Sequence, residues 1–548
     1  MASKVLPLVP WRKTELPTAS KSEQSAQAVH AQALDLFVLG FPEQANTLLK
    51  ALYDHGHGLE FDIDIDAHPK SYYLSWEFVG YLMCLYAAWE VFDCLPSWIE
   101  HPDPEKPFRG RDDLVRTEPL WDEYKDRWVE GFPSNLREKV LEEGQIEKSE
   151  LQDLLQQLEN QTSRVVAKTR ISIGAVVQAA TLAGDDQTAK SLVENDVANL
   201  YRHFQDPSNQ PDVYSYDLRV RLSQRLGLHY GPKIWGYLRD ARIGTALEID
   251  ASAVDEFVEE GCELIKQRFT EGPTRPYSDR TIADLVDLLD EAHNTQASLN
   301  GEDQPQTRRK PATEKEITDL EYNLCSAVQS GATCLLDGEA LPEDYKEFLR
   351  ITNGFWSDRY HDQPNNPGNL FYGIQGIDTS DDCLWVHDLD FTLLPWEVTH
   401  TFQDEIALGD FTGFSVGAGG DEGSAILIPP SSMKDILERF DEVYAAADTR
   451  GKKVLERGAL DLYGGIERLR KMEWLCVESF HWDPEPRLYY GFRGYLEYCV
   501  EKAVRETDEL HESESEEEED GEVEGEEDDE SDAAKGTKRK RDHEVDEA

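Results

Sequence analysis

Between residues 25 and 289 the apolar positions recur at helical spacing and are broken by turn signals, so this half of the chain predicts helices. AVHAQALDLFVLG (28–40) and FPEQANTLLKALYDHG (41–56) read as a helical hairpin turned at Gly40-Phe41-Pro42. A second pair follows at ISIGAVVQAATLAG (171–184) and DDQTAKSLVENDVANLYRHF (185–204). The two pairs suggest either an irregular helical domain or stacked helix pairs of the tetratricopeptide kind. Their separation is not a short regular period, which favours the irregular domain. Residues 1–22, punctuated by prolines and charges, read as a flexible tail, leaving 23–292 as the helical domain.

Periodicity stops at HNTQASLNGEDQPQTRRKPATE (293–314), which reads as a linker. Beyond it Ile317, Leu320, Leu324 and Val328 make a helical stripe. LPEDYKEFLRITNGF (341–355) then places Leu341, Tyr345, Phe348 and Leu349 at i, i+4, i+7 and i+8 of one helix face. Pro342 suits the first turn and Asn353-Gly354 a left-handed stop. The period then shifts to strands. NLFYGIQGI (369–377) is β-rich, and FSVGAGGDEGSAILIPP (414–430) reads as a hairpin about a Gly/Asp/Glu turn. Ser431-Ser432 is placed to cap a following helix at 433–447, and a last helix covers Tyr495 to Arg505. Helix and strand mixed in this way predict α+β, with a mainly antiparallel sheet in the second domain.

Two of these elements together resemble the SUKH superfamily, which includes fungal regulators of cell-wall assembly. One is Leu341-Pro342 through Asn353-Gly354. The other is the hairpin at 413–428 with Gly417, Asp421 and Gly423 in its turn, and a helix follows that hairpin as the family has it. The resemblance covers residues 315–505. It departs from the family at the polar insertion 356–369, over the long stretch 450–490, and in the helical domain that precedes it. The resemblance implies a binding and regulatory module rather than an enzyme, with no cofactor. For the fungal branch it implies control of cell-wall assembly and β-1,3-glucan synthesis through signalling kinases.

Charge changes the picture of partners. The formal charge is −55, and the acid-rich end does not account for it: residues 512–548 carry 19 acids and 5 bases, leaving −41 on the remainder. Such a surface opposes direct binding of nucleic acid and favours basic protein partners or plain solubility. From Glu512 to Asp532, 15 of 21 residues are acidic, so 506–548 is expected to be a disordered acidic tail. Lys538, Arg539, Lys540 and Arg541 read as a nuclear-import signal, and Ser513 and Ser515, with acids three residues on, as phosphorylation sites for acidophilic kinases. An alternative function follows from this end: a nuclear histone-binding or chromatin-associated factor.

The apolar run Phe78–Trp89 is too short to span a bilayer. Eight scattered cysteines without a CxxC pair suggest reduced core thiols and a cytoplasmic or nuclear location. Gly413-Phe414-Ser415-Val416-Gly417 satisfies the serine-hydrolase pattern G-x-S-x-G, which makes a hydrolase at Ser415 a further alternative. The residues after it continue into a strand, whereas a nucleophile elbow needs a helix there. His55 and His57 with Asp62, Asp64 and Asp66 are the one metal-like grouping, read as an acidic exposed face because the glycine and closing glutamate of a calcium loop are missing. Phe355, Trp356 and Tyr360, directly after the helix stop, are the candidate partner-binding residues. Oligomeric state is not legible.

Overall fold

α1 (Ser22–Leu39) and α2 (Pro42–His55) form the predicted hairpin, turned at a left-handed Gly40 (φ +88°). The structure is a computed structural model that describes residues 6–19, 21–56, 61, 76–99, 136, 145–159, 173–205, 231–299, 306–326, 328–329, 332–333, 335–336, 338–357, 371–374, 387–394, 407–411, 413–417, 423–480 and 483–521. The helical unit continues with α3 (Trp76–Phe92), α4 (Lys148–Glu159), α5 (Ile173–Leu182) and α6 (Asp186–Leu192). A π-helical turn joins α6 to α7 (Ala198–Phe204), and α8 (Gly231–Ala241), α9 (Ile243–Ala246) and α10 (Ala251–Glu271) complete the unit. Asp185 caps α6 by accepting from Thr188 N at 3.1 Å. α1 is buried on nearly every side, and α10 returns to pack on α2 across two hundred residues. The core is therefore closed around α1.

Residues 6–19, expected to be part of a flexible tail, do not behave as one. Leu8, Val9, Trp11 and Leu16 are buried, and the Trp11 ring stacks on Phe257 at 4.9 Å while its Nε1 donates to Phe257 O at 2.8 Å. Burial of one tryptophan outweighs the polar, proline-broken look of its neighbours, because a large ring removes more apolar area from water than short flanks can oppose.

The 293–314 linker is also corrected. α11 (Ile282–Leu299) carries Ile282, Leu285, Val286, Leu289 and Ala292 into the second core, packed on α17 (Gly491–Gly521). Thr281 and Asp284 box its N-terminus: Thr281 N donates to Asp284 Oδ2 at 3.0 Å and Asp284 N to Thr281 Oγ1 at 3.1 Å. The polar residues after 293 are the outer face of a helix whose inner face is apolar. β1 (Gln306–Arg308) then pairs antiparallel with β4 (Phe355–Ser357), and α12 (Glu314–Ser326) follows. The units thus divide near 272–281.

β2 (Val328–Gln329) with β3 (Ala332–Thr333), and β5 (His387–Thr392) with β6 (Ala407–Phe411), form separate antiparallel pairs outside the main sheet. That sheet is antiparallel, ordered β10–β9–β8–β7, from β7 (Phe414–Gly417), β8 (Gly423–Ile428), β9 (Leu475–Phe480) and β10 (Asp483–Tyr490). Successive side chains face opposite ways. Phe414, Val416, Ala425, Leu427 and Cys476 point to the core shared with α11, α13 (Glu343–Ile351) and α17. Ile428, Leu475, Val477 and Leu488 point to a separate core under α14 (Pro430–Ala446), α15 (Thr449–Tyr463) and α16 (Ile466–Leu469). The fold is α+β, as expected, with a sheet covered on both faces.

Two further expectations change. Ser431-Ser432 do not cap α14: the helix begins at Pro430, and Glu339 from a distant loop accepts from Ser431 N at 2.8 Å. The acidic run starts inside α17, which stays helical to Gly521; glutamate is a good helix former and the helix is already anchored at its head. Residues 522–548 lie outside the described set.

The units meet at a buried ion pair. Arg268 Nη2 donates to Asp461 Oδ1 (2.9 Å) and to Ala19 O (2.9 Å), while Asp461 Oδ2 accepts from Ser22 N at 2.9 Å. Gly272 (φ +89°) ends α10 there, and a Cβ on it would stand 2.7 Å from Leu460 O, so only glycine fits.

Candidate functional site

The residues 341–355 build a core. Leu341, Tyr345, Phe348 and Leu349 are buried, and Pro342 is the N-cap of α13. Asn353 Oδ1 accepts from Ile374 N at 2.7 Å, and Gly354 takes the left-handed turn (φ +97°). Phe355 is fully buried against Phe348 and Phe371, with ring centroids 6.4 and 6.3 Å away. It is not a recognition rim. Pairing of β4 with β1 turns its side chain inward, and that partner strand lies about fifty residues upstream. The Trp356 side chain and Tyr360 lie outside the described residues, as do Asp421 and Lys538, Arg539, Lys540 and Arg541. Gly417 closes β7 opposite Ala425, and Gly423 opens β8. Ser513 and Ser515 have helical backbone within α17.

Ser415 sits in β7, and its Oγ donates to Gly417 O (3.2 Å) and Ala425 O (3.4 Å). The strand continues into antiparallel β8, so the strand-to-helix elbow that a G-x-S-x-G nucleophile needs is not formed. His55 ends α2, whereas His57, Asp62, Asp64 and Asp66 lie outside the described residues. Among the described residues no group of three His, Cys, Asp or Glu is disposed to hold a metal. Cys84, Cys94, Cys262, Cys325, Cys476 and Cys499 are not joined in disulfides, and burial pushes Cys84 and Cys476 up in pKa.

What the Leu341–Phe355 segment does position is a cleft of about 400 Å³ at its head. Its walls are the start of α13, the α10–α11 connection, the end of α16, and the turn from β10 into α17. Asp344 caps α17 from outside: Oδ2 accepts from Arg493 N (2.9 Å), and Oδ1 accepts from Tyr345 N (2.8 Å). A carboxylate there offsets the positive end of the helix dipole. Burial pushes the Asp344 carboxyl above its ordinary range, and the backbone N–H groups and Arg493 pull it back in part.

Glu497, in the second turn of α17, gathers two arginines. Arg275 reaches it through Nε (3.0 Å) and Nη2 (2.5 Å), and Arg493 through Nε at 2.8 Å. Arg493 Nη2 also donates to Ser278 O at 3.0 Å and to Arg280 O. On the opposite wall Arg468 lies over the Tyr490 ring, 4.7 Å from its centroid, with Lys471 beside it and Trp474 behind, packed on Phe414. Among the described lining residues no hydroxyl or thiol is hydrogen-bonded to a histidine or carboxylate. The arrangement is suited to holding a charged group.

A second cleft, about 580 Å³, lies at the junction of the units, but its cations are engaged. Arg470 pairs with Asp441 (2.9 Å) and Glu467 (3.1 Å), and Arg457 donates to Gly56 O and covers Phe269.

No family model, curated protein or solved structure matches the chain. No helix among the described residues is long and apolar enough to cross a membrane.

Of the cleft residues only Pro342 was among the sequence candidates, although the sequence carries signals for others. Arg468-Leu469-Arg470-Lys471 is a local reversal of sign in a strongly acidic chain. Arg493 and Glu497 are also spaced for an i,i+4 pair. Arg275 gives no local hint, because only the fold brings it to Glu497.

Proposed function

We propose that the chain is a non-enzymatic, protein-binding regulatory scaffold, in which a helical unit is joined to an α+β unit resembling the SUKH superfamily. One observation carries the reading. Leu341, Tyr345, Phe348 and Leu349, which carry the resemblance, are buried, while Pro342 and Asp344 line a cleft with charged and aromatic walls and without a paired nucleophile among its described residues. A concave site with a few convergent polar groups is the usual form of a binding site. On the same resemblance, the pathway is control of cell-wall assembly and β-1,3-glucan synthesis through signalling kinases. The net charge of −55 adds affinity for basic segments of partners. With the Lys538–Arg541 cluster as an import signal, the location is cytoplasmic and nuclear.

Tagged full-length chain should retain a reproducible set of proteins, and Ser415 should not react with a fluorophosphonate probe. A chain that elutes alone from extracts of its own cells, or labelling at Ser415, removes the scaffold reading. Deleting the chain tests the pathway separately: unchanged wall β-1,3-glucan sinks that assignment alone.

A further inference from the structure

The cleft at the head of α13 holds uncompensated positive charge in a chain whose formal charge is −55. Arg275 and Arg493 are committed to Glu497 and to backbone carbonyls, and Asp344 is committed to the first turn of α17. Arg468 and Lys471 remain. Both are exposed, both line the cleft, and among the described residues neither meets a carboxylate. The Arg468 guanidinium carbon lies over the Tyr490 ring, 4.7 Å from its centroid, a cation–π contact that uses the ring face and no carboxylate.

We propose that this cleft binds a phosphoryl group carried on an extended segment of a partner protein, with neutral or basic residues flanking it. A guanidinium fork beside an ammonium is the pairing that suits a phosphoryl dianion, giving a bidentate contact and a point charge together. The volume exceeds what a bare anion fills and lies at the lower end of the range for ligand pockets. Trp474 and Tyr490 supply apolar wall for the chain that bears the group.

The flanks are set by charge as well. Exposed Glu473 at the rim and the acidic body repel a run of carboxylates and attract lysine or arginine. Body charge acts only over a Debye length of about 8 Å at physiological salt. It therefore selects the residues beside the phosphoryl group, while Arg468 and Lys471 hold the group itself. A phosphomonoester is near −2 only above its second pKa of about 6, so affinity should fall below that pH.

This proposal rests on the binding-module reading and names the chemistry of its ligand. The experiment is fluorescence anisotropy with the intact chain. The probe is a short Lys/Ala/Ser peptide bearing one central phosphoserine; its unphosphorylated twin and inorganic phosphate serve as competitors. The phosphopeptide should saturate, with the twin at least roughly tenfold weaker. Arg468→Glu and Lys471→Glu should each weaken it by a similar factor with the unfolding midpoint unchanged, and Arg350→Ala, on the far side of α13, should leave it alone. Equal affinity for the two peptides, or indifference to both reversals, overturns the proposal. Inorganic phosphate that competes as well as the phosphopeptide overturns the protein-segment assignment in favour of a free-anion site. None of these failures touches the co-purification result, so the scaffold reading stands or falls on its own test.

Discussion

The junction and the cleft both rest on arginine bound to a carboxylate, and they use it in opposite ways. At the junction the Arg268 side chain is 0% exposed and meets Asp461, itself 6% exposed. Two of its nitrogens, Nε and Nη1, have no hydrogen-bond partner among the described residues. Burial lowers the Arg268 pKa, and Asp461 works against that. In the cleft Arg275 and Arg493 stay 29% and 33% exposed around one glutamate, so water keeps part of its hold on them. The lesson is one of dielectric. The dry pair fixes how two units meet and has nothing left to offer a ligand, whereas the wet cluster holds local geometry and leaves cations beside it available.

Breaking each region separately should show this. Asp461→Ala leaves a buried, unpaired guanidinium and should cost about 3–5 kcal/mol, read by chemical denaturation. Adding Arg268→Met should recover most of that loss, and a double variant as unstable as the single would mean that the pair is not the cause. Phe355→Ala should cost roughly 3 kcal/mol through the cavity it leaves, with phosphopeptide affinity unchanged. A loss of affinity at constant stability would instead restore Phe355 as a contact residue.

A smaller effect should appear with acid. Burial lowers His293 to about 4 and His30 to about 3, one in each unit. Both groups favour the neutral form in the fold, so the stability they contribute is complete above the ordinary imidazole pKa. It is lost as pH falls from there towards the lowered values. His293→Leu should flatten the slope of unfolding midpoint against pH over that interval, and an unchanged slope would contradict its burial. The smallest effect belongs to Arg350→Ala. Its partners Glu314 and Glu343 stand in solvent, so no resolvable change in unfolding midpoint is expected.

What could be read beforehand followed from local rules. The Leu341, Tyr345, Phe348 and Leu349 stripe, the Gly40 turn and the 413–428 hairpin each depend on neighbours a few residues away. What escaped depends on distant ones. Trp11 is held by Phe257, α11 takes its place from α17, and Phe355 turns inward because Gln306–Arg308 pairs with its strand. The cleft escaped for the same reason: its arginines come from the connection before α11, the end of α16 and the head of α17. Sign reversal at Arg468–Lys471 was legible, but no spacing rule joins it to Arg275.

α17 runs unbroken from Gly491 to Gly521, and the last of its residues described as buried is Ala503. At 1.5 Å per residue the stretch beyond Ala503 is a rod about 27 Å long. That is roughly three screening lengths in physiological salt. A charged molecule held at the far end of the rod is therefore electrically out of earshot of the cleft at its root. The two ends of one helix can each be occupied, modified or stripped without altering what the other attracts.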